Sequence, residues 1–230
     1  MAVPLVTHVV RGRQEPDRLL LLVHGKGADE HDLEPLVPHL DPEGRFLAVL
    51  PRAPLPFLSG WQWYETEGIP RGGPQFAASV DVLDEVLDSA CAEYRFSRRE
   101  AIVAGFSQGC GLALALGLRR SGRPRPAGIL GMSGFLAERD DVAYDFTAAP
   151  PVLLQHGTAD PTIPVEYGRR AVARLAPEGV PVVYREYPVG HQVAVEGVQD
   201  AMAWLALVLA GERPSEPVPD VAVGSRPSPS

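Results

Sequence analysis

The chain has 230 residues, 45% hydrophobic side chains, a formal net charge of -8 and two cysteines. This length and apolar fraction suit one globular domain with a sizeable core. The negative charge argues against nucleic acid or an anionic membrane surface as the main partner, because both attract basic proteins. Two thiols do not make a disulfide scaffold; they fit a reducing compartment and two buried small side chains in helices.

The two ends of the chain carry no sign of membrane targeting. The N-terminal sequence MAVPLVTHVVRGRQ lacks the basic and apolar regions of a signal peptide. The longest apolar stretch, 201–210, is shorter than the roughly 20 residues that span a bilayer. We therefore expect a cytoplasmic protein without a membrane span. The five prolines of 212–230 predict a disordered tail that follows a single domain at 1–211.

Seven stretches along the chain predict strands. The first, PLVTHVVRG, alternates apolar and polar residues and is typical of an edge strand. The other six are nearly continuous apolar runs, which favour strands covered on both faces. They are RLLLLVHG (18–25), RFLAVLP (45–51), EAIVAGF (100–106), PAGILGMSG (126–134), PPVLLQHG (150–157) and VPVVYREYP (180–188).

Helical patterns separate these strands. Phe76, Val80, Leu83, Leu87 and Cys91 recur at spacings of three and four, which predicts one apolar helix face. Further helical patterns begin at 111, 165 and 197, and the last ends at a glycine. The alternation of strands and helices predicts an α/β fold, a mostly parallel doubly wound sheet with helices on both faces. Sites in such sheets form at the carboxyl ends of the strands.

The stretch GFSQG, residues 105–109, follows one of these strands and matches G-x-S-x-G. A sharp strand-to-helix turn forces its central residue into strained backbone angles, and flanking side chains would clash. The turn would raise the Ser107 hydroxyl above the sheet, at a helix N-terminus that favours developing negative charge. Ser107 is therefore the candidate nucleophile.

A serine hydroxyl needs a base to take its proton. In such folds the partners follow in the order serine, acid, histidine. Asp160 follows one strand and His191 follows the next, so they are the candidate acid and base. Asp160 could also be an ordinary turn residue before Pro161.

Other histidines and acids compete for these roles. His8, His31 and His39 suit the surface, whereas His24 suits turn shaping and His156 a structural position. The rival acids follow an earlier strand and are Glu138, Asp140 and Asp141.

Acyl transfer also needs hydrogen-bond donors for the oxyanion of the tetrahedral intermediate. One is the backbone N–H of the residue after the nucleophile, Gln108, and the other comes from a Gly-rich turn after an early strand. The stretch HGKG, 24–27, supplies that turn and contains the only lysine, Lys26. Its backbone N–H is the second candidate donor. Its side chain either points to solvent, which we favour, or steers anionic substrates.

Five stretches together resemble the phospholipase/carboxylesterase family of α/β-hydrolases, which includes acyl-protein thioesterases. They are LVHGKGADEHDL, GFSQGCGLAL, GMSGFL, VLLQHGTADPTIP and VGHQV, in order between residues 19 and 210. The resemblance implies a cofactor-free and metal-free serine esterase with the triad Ser107, Asp160 and His191. It also implies an oxyanion hole from the Lys26 and Gln108 amides. Glu30 and Asp32 are expected to form hydrogen bonds of the turn and the helix start.

Two features bear on the substrate. The loop 51–68 carries Trp61, Trp63 and Tyr64, which either wall an acyl pocket or pack in the core. The insert at 135–149 is too short for a large cap domain, so we expect an open site that accepts small to medium acyl esters. Alternatives are an acyl-protein or acyl-CoA thioesterase, a lysophospholipase, a non-catalytic binding protein, and, with less support, a peptidase.

Overall fold

The computed structural model describes residues 5–12 and 15–216, which form nine strands and five α-helices. The strands are β1 (Thr7–Arg11), β2 (Arg18–Val23), β3 (Phe46–Pro51), β4 (Leu55–Phe57), β5 (Gly60–Gln62), β6 (Ala101–Phe106), β7 (Gly128–Met132), β8 (Val152–Gly157) and β9 (Val182–Tyr187). The helices are α1 (Val37–Leu40), α2 (Phe76–Tyr94), α3 (Gln108–Leu118), α4 (Glu166–Leu175) and α5 (Val195–Leu209).

Seven strands form the main sheet in the order β1-β3-β2-β6-β7-β8-β9. All neighbours pair parallel except β1, which runs antiparallel to β3 at one edge. The predicted, mostly parallel sheet and its alternating edge strand are therefore confirmed. Because six strands run in the same direction, the carboxyl ends of β2, β6, β8 and β9 all lie at the same end of the sheet.

Both faces of the sheet are covered by helices, as the continuous apolar runs predict. Alternate residues of β2 enter different cores, so Leu19 and Leu21 pack with α2 and α3, whereas Leu20 and Leu22 pack with α5. Each of these leucines is at most 1% exposed. Burying one leucine side chain stabilises a fold by about 1.5–3 kcal/mol, so these two layers hold the sheet.

The helices match the sequence patterns closely. The predicted apolar face of α2 is buried, including Phe76 and Leu83, and the helix ends where Arg95 takes a left-handed conformation with φ 62°. Every residue of α3 is buried, which explains its lack of amphipathic periodicity. Helix α5 begins at Val195, two residues before the predicted start. Both cysteines are buried and free.

One structured element was missed in the loop 51–68. There β4 and β5 form a two-stranded antiparallel hairpin. Trp61 in β5 donates its N–H to Ala28 O at 2.9 Å and accepts from Gly27 N–H at 2.7 Å. The hairpin therefore lies directly on the Gly-rich turn that follows β2. Gly60 allows this approach, because a Cβ there would be 2.2 Å from Gly27 O.

The remaining segments bear on the predicted boundaries. Residues 135–149 form no helix or strand, so this insert provides no large cap. Residues 212–216 extend along the body, and Glu216 donates its N–H to Val182 O at 3.1 Å. The disorder predicted for the tail remains a prediction for 217–230, which lie outside the described residues. Within the described chain, no helix is long and apolar enough to cross a membrane.

Candidate active site

Ser107 occupies a strained turn between β6 and α3. Its backbone angles are φ 56° and ψ -116°, a conformation costly for a residue with a Cβ. Each of the two glycines of GFSQG is required for its own steric reason. A Cβ on Gly105 would be 2.2 Å from Gly109 O, and a Cβ on Gly109 would be 2.1 Å from Val23 O. The motif therefore has the tight geometry that the sequence pattern predicts.

Ser107, His191 and Asp160 form one chain of hydrogen bonds. The Ser107 hydroxyl donates to His191 Nε2 at 2.9 Å. His191 Nδ1–H donates to Asp160 Oδ2 at 2.7 Å. The three side chains come from the loops after β6, β8 and β9, and these loops meet at the carboxyl ends of the parallel strands. Such an arrangement can pass the serine proton to the imidazole while the carboxylate fixes the ring tautomer.

The Asp160 carboxylate uses its two oxygens for different partners. Oδ1 accepts the backbone N–H groups of Thr162 and Ile163, each at 2.8 Å, whereas Oδ2 faces His191. The Asp160 side chain is 0% exposed, while that of His191 is 19% exposed. The turn interpretation and the triad interpretation of Asp160 are thus compatible, because one oxygen serves each.

His156 contacts the loop that carries Asp160. Its Nε2–H donates to Ile163 O at 2.8 Å, and the ring lies 3.6 Å from Asp160 Oδ2. Burial lowers the pKa of His156, so the neutral ring is favoured. His156 has the structural position expected from the sequence.

The Gly-rich turn after β2 lies against Ser107, the candidate nucleophile. A Cβ on Gly25 would be only 3.2 Å from Ser107 Cβ. Within the described residues, neither the Lys26 nor the Gln108 backbone N–H has a protein acceptor. Both amides are therefore available to a ligand. The Lys26 side chain is exposed, with Nζ 4.1 Å from the Phe57 ring centroid and 3.5 Å from Thr66 Oγ1.

His24 shapes this turn, as expected. Nδ1–H donates to Gly25 O at 2.6 Å, and Nε2 accepts Ala53 N–H at 3.1 Å. Burial lowers the pKa of His24, which keeps Nε2 unprotonated as an acceptor. The ring thus ties the turn after β2 to the segment after β3.

The three aromatic side chains proposed for substrate binding differ in their surroundings. Trp63 and Tyr64 are 0% and 1% exposed and belong to the core. Trp63 Nε1–H donates to His24 O at 2.9 Å. Trp61 is half-buried beneath the Arg52 guanidinium, 5.0 Å from the ring centroid. Core packing, the second interpretation of this loop, therefore describes Trp63 and Tyr64, and neither has surface to offer a substrate.

Sequence reasoning missed the role of the Gln108 side chain. Its Oε1 accepts Trp63 N–H at 3.0 Å, and its Nε2 donates to Tyr64 O at 2.9 Å. Gln108, the residue after Ser107, therefore holds the aromatic segment through its side chain while its own N–H stays available. The amide side chain directly after the Gly-Phe-Ser turn was the only local signal in the sequence. Its partners, Trp63 and Tyr64, are more than 40 residues away along the chain.

The competing residues are engaged elsewhere. Glu138 pairs with Arg170 at 2.7 Å and Asp141 with Arg139 at 2.6 Å, both on the surface.

The expectation for Glu30 needs correction, because its buried carboxylate pairs with Arg52 rather than with the turn.

Asp29 accepts the turn hydrogen bond, from His31 N–H at 2.9 Å. The expectation for Asp32 is also corrected, since its side chain is exposed and makes no such hydrogen bond among the described residues. The bulkier Glu30 is buried and can reach a guanidinium, whereas the shorter Asp29 is placed to cap the turn.

The model of the phospholipase/carboxylesterase family matches residues 6–209. The chain is 29% identical to acyl-protein thioesterase 1 of Gibberella zeae over 61% of this chain and 58% of that protein. It is 27% identical to acyl-protein thioesterase 1 of Mycosarcoma maydis over 90% of this chain and 99% of that protein.

Coverage varies among these relatives. The chain spans little more than half of the Gibberella protein, at 58%, and 48% of a third relative from Yarrowia lipolytica. Among solved structures, esterase PE8 is similar with a TM-score of 0.79 and 27% identity, covering 90% of this chain and 100% of PE8. The resemblance and the α/β-hydrolase fold expected from the sequence are confirmed. The chain belongs to the phospholipase/carboxylesterase family.

Proposed function

We propose that the chain is a serine carboxylesterase that hydrolyses small to medium acyl esters through an acyl-enzyme on Ser107. The observation that carries the proposal is the continuous contact from Ser107 Oγ through His191 to the buried Asp160 carboxylate, at 2.9 and 2.7 Å. The two available amides beside Ser107 and the membership of a hydrolase family support it.

The first half of the reaction forms the acyl-enzyme. Ser107 Oγ attacks the ester carbonyl carbon as its proton moves to His191 Nε2, and Asp160 stabilises the imidazolium that forms. The carbonyl oxygen, now an oxyanion, accepts hydrogen bonds from the Lys26 and Gln108 amides. Losing one such donor costs about 100- to 1000-fold in rate, so these amides carry a large share of the catalysis.

Collapse of the first tetrahedral intermediate completes the acyl-enzyme, and hydrolysis of the acyl-enzyme then releases the acid. The tetrahedral intermediate collapses, the C–O bond to the alcohol breaks, and the alcohol leaves with the proton from His191 Nε2. Water then attacks the acyl carbon while His191 accepts its proton. The second tetrahedral intermediate breaks at Ser107 Oγ, which regains the proton. These steps balance without a further cofactor, because the alcohol takes the proton that Ser107 lost and a proton from water restores the Ser107 hydroxyl through His191.

The test is hydrolysis of p-nitrophenyl esters from acetate to palmitate by the full chain, with Ser107→Ala as the matched variant. We expect activity that disappears with Ser107→Ala, and a chain-length optimum among the short and medium esters. Activity that survives in Ser107→Ala would identify another nucleophile. A sharp preference for a single bulky ester would contradict the open site proposed here.

Thioester hydrolysis is the second candidate. The observation in its favour is that one relative, similar over 90% of this chain, is named acyl-protein thioesterase 1. The same groups would act, and a thiolate is a better leaving group than an alkoxide. Comparing kcat/KM on matched oxygen and sulfur esters distinguishes the two. Failure of the folded protein to react with a fluorophosphonate probe would instead favour a non-catalytic binding protein.

A further inference from the structure

Three side chains with metal-binding chemistry meet at the β1 edge of the sheet. His8 lies in β1, His31 lies in the loop between β2 and α1, and Glu34 begins the short 3-10 helix Glu34–Leu36 that follows this loop. His8 Nε2 is 3.1 Å from Glu34 Oε2, and His31 Nδ1 is 3.4 Å from the same oxygen. The ligand atoms of all three residues lie within 4.8 Å of one another. Two imidazole nitrogens and one carboxylate oxygen therefore converge on a small volume.

These separations match the edges of a tetrahedral coordination shell. Zinc bonds of about 2.0–2.1 Å to nitrogen and oxygen place neighbouring ligand atoms about 3.3 Å apart. The two measured histidine–carboxylate separations are 3.1 and 3.4 Å. A small rotation of the histidine rings, whose centroids are 4.4 Å apart, would complete a three-ligand site. An ion can enter from solvent, since the His31 and Glu34 side chains are half exposed.

Two further features favour a ligand over a simple hydrogen-bonded cluster. His8 Nε2 is buried yet makes no hydrogen bond of good geometry in the described structure, although it points at Glu34. On the far side of His31, Nε2 faces the buried Glu30 carboxylate at 3.6 Å. A carboxylate beside the outer nitrogen of a metal-bound histidine orients the ring and leaves the other nitrogen free to coordinate. Arg52 holds Glu30 in that position.

We propose that His8 Nε2, His31 Nδ1 and Glu34 Oε2 bind a divalent transition-metal ion of the zinc class, with one coordination position left to water. Imidazole ligands select zinc, copper, nickel or cobalt over magnesium and calcium, which prefer oxygen. The ion would fasten β1, which pairs only with β3, to the turn after β2. The sequence predicted no metal, because the two histidines belong to separate segments without a recognisable spacing.

The test is zinc binding by the full, tag-free chain after treatment with a chelator. We expect one Zn²⁺ per chain by elemental analysis, at least tenfold weaker binding in His8→Gln and His31→Gln, and a higher Tm with Zn²⁺ but not with Mg²⁺. The matched control is His39→Gln, since His39 is an exposed histidine of α1 outside the cluster and should bind as the unaltered chain does. Co²⁺ should give the intense visible absorption of a tetrahedral site.

Two results would overturn the proposal. One is the absence of stoichiometric Zn²⁺ binding. The other is binding that persists in His8→Gln and His31→Gln but is lost in His191→Gln, which would locate the ion at the candidate triad. Because Gln at these two positions can still form surface hydrogen bonds, Tm without metal checks that each variant folds. Hydrogen exchange of the Val9 and Val10 amides should slow on adding Zn²⁺ in the unaltered chain alone.

Discussion

Replacement of Asp160 by Asn separates the two tasks of this carboxylate. In the turn, Oδ1 accepts two backbone N–H groups at 2.8 Å, and an Asn side-chain oxygen can keep both bonds. The Asn amide group then occupies the place of Oδ2 and presents N–H groups to His191 Nδ1. The imidazole must accept there, so its proton moves to Nε2, which can no longer take the proton of Ser107.

The expected loss follows from that tautomer change. For a Ser-His-Asp triad in which this change leaves the wrong tautomer, kcat falls about 10⁴-fold, which is about 5 kcal/mol of transition-state stabilisation. Folding should be nearly unaffected in Asp160→Asn, because the turn is preserved. In Asp160→Ala the two buried amides lose their acceptor, so the free energy of unfolding should fall by about 1–3 kcal/mol in addition.

The assay is kcat and KM on one p-nitrophenyl ester, beside denaturant unfolding of each variant. Asp140→Asn is the matched control, because Asp140 is an exposed acid of the rival group and should leave kcat unchanged. An Asp160→Asn enzyme within tenfold of the original kcat would refute the reasoning. So would a large loss of kcat in Asp140→Asn, which would return the acid to the loop after β7.

Three further changes probe the rest of the site. Gly109→Ala places a Cβ 2.1 Å from Val23 O, so unfolding in denaturant should show a loss of about 3 kcal/mol; an unchanged midpoint would contradict the packing. Lys26→Ala should change kcat/KM equally for a neutral and an acidic ester, because the Lys26 side chain contacts Phe57 and Thr66 and is not required as an oxyanion donor; a selective loss with the acidic ester would support steering. Burial lowers the pKa of His156 below 6.5, so the unfolded chain gains this proton first and stability falls as the pH drops below about 6.5. His156→Gln should flatten that part of the dependence of unfolding free energy on pH. An unaltered profile would show that His156 does not cause the loss of stability.

Much of the fold and the candidate triad could be predicted from local sequence. The apolar runs of β2, β6 and β8 identify buried parallel strands, because strands covered on both faces need apolar residues at consecutive positions. The glycines around Ser107 identify the turn, because only they avoid collisions within a few residues. Asp160 and His191 each follow a strand, and they lie at the same end of the sheet because parallel strands share a direction.

Other features depended on packing between distant segments. Trp63 is in the core because the Gln108 side chain and Ser79, from two different helices, satisfy its backbone groups. No pattern within the loop 51–68 distinguishes that outcome from a substrate wall. His8 and His31 meet because His8 pairs with Leu50 near the end of β3, and Arg52, just beyond β3, holds Glu30 next to His31. The sequence by itself determined the strands of the main sheet, the turn at Ser107 and the order of the candidate triad, since these follow from short-range sterics and periodicity. Only the tertiary structure decided which loop side chains are buried and which meet, because those outcomes depend on contacts between segments far apart in the chain.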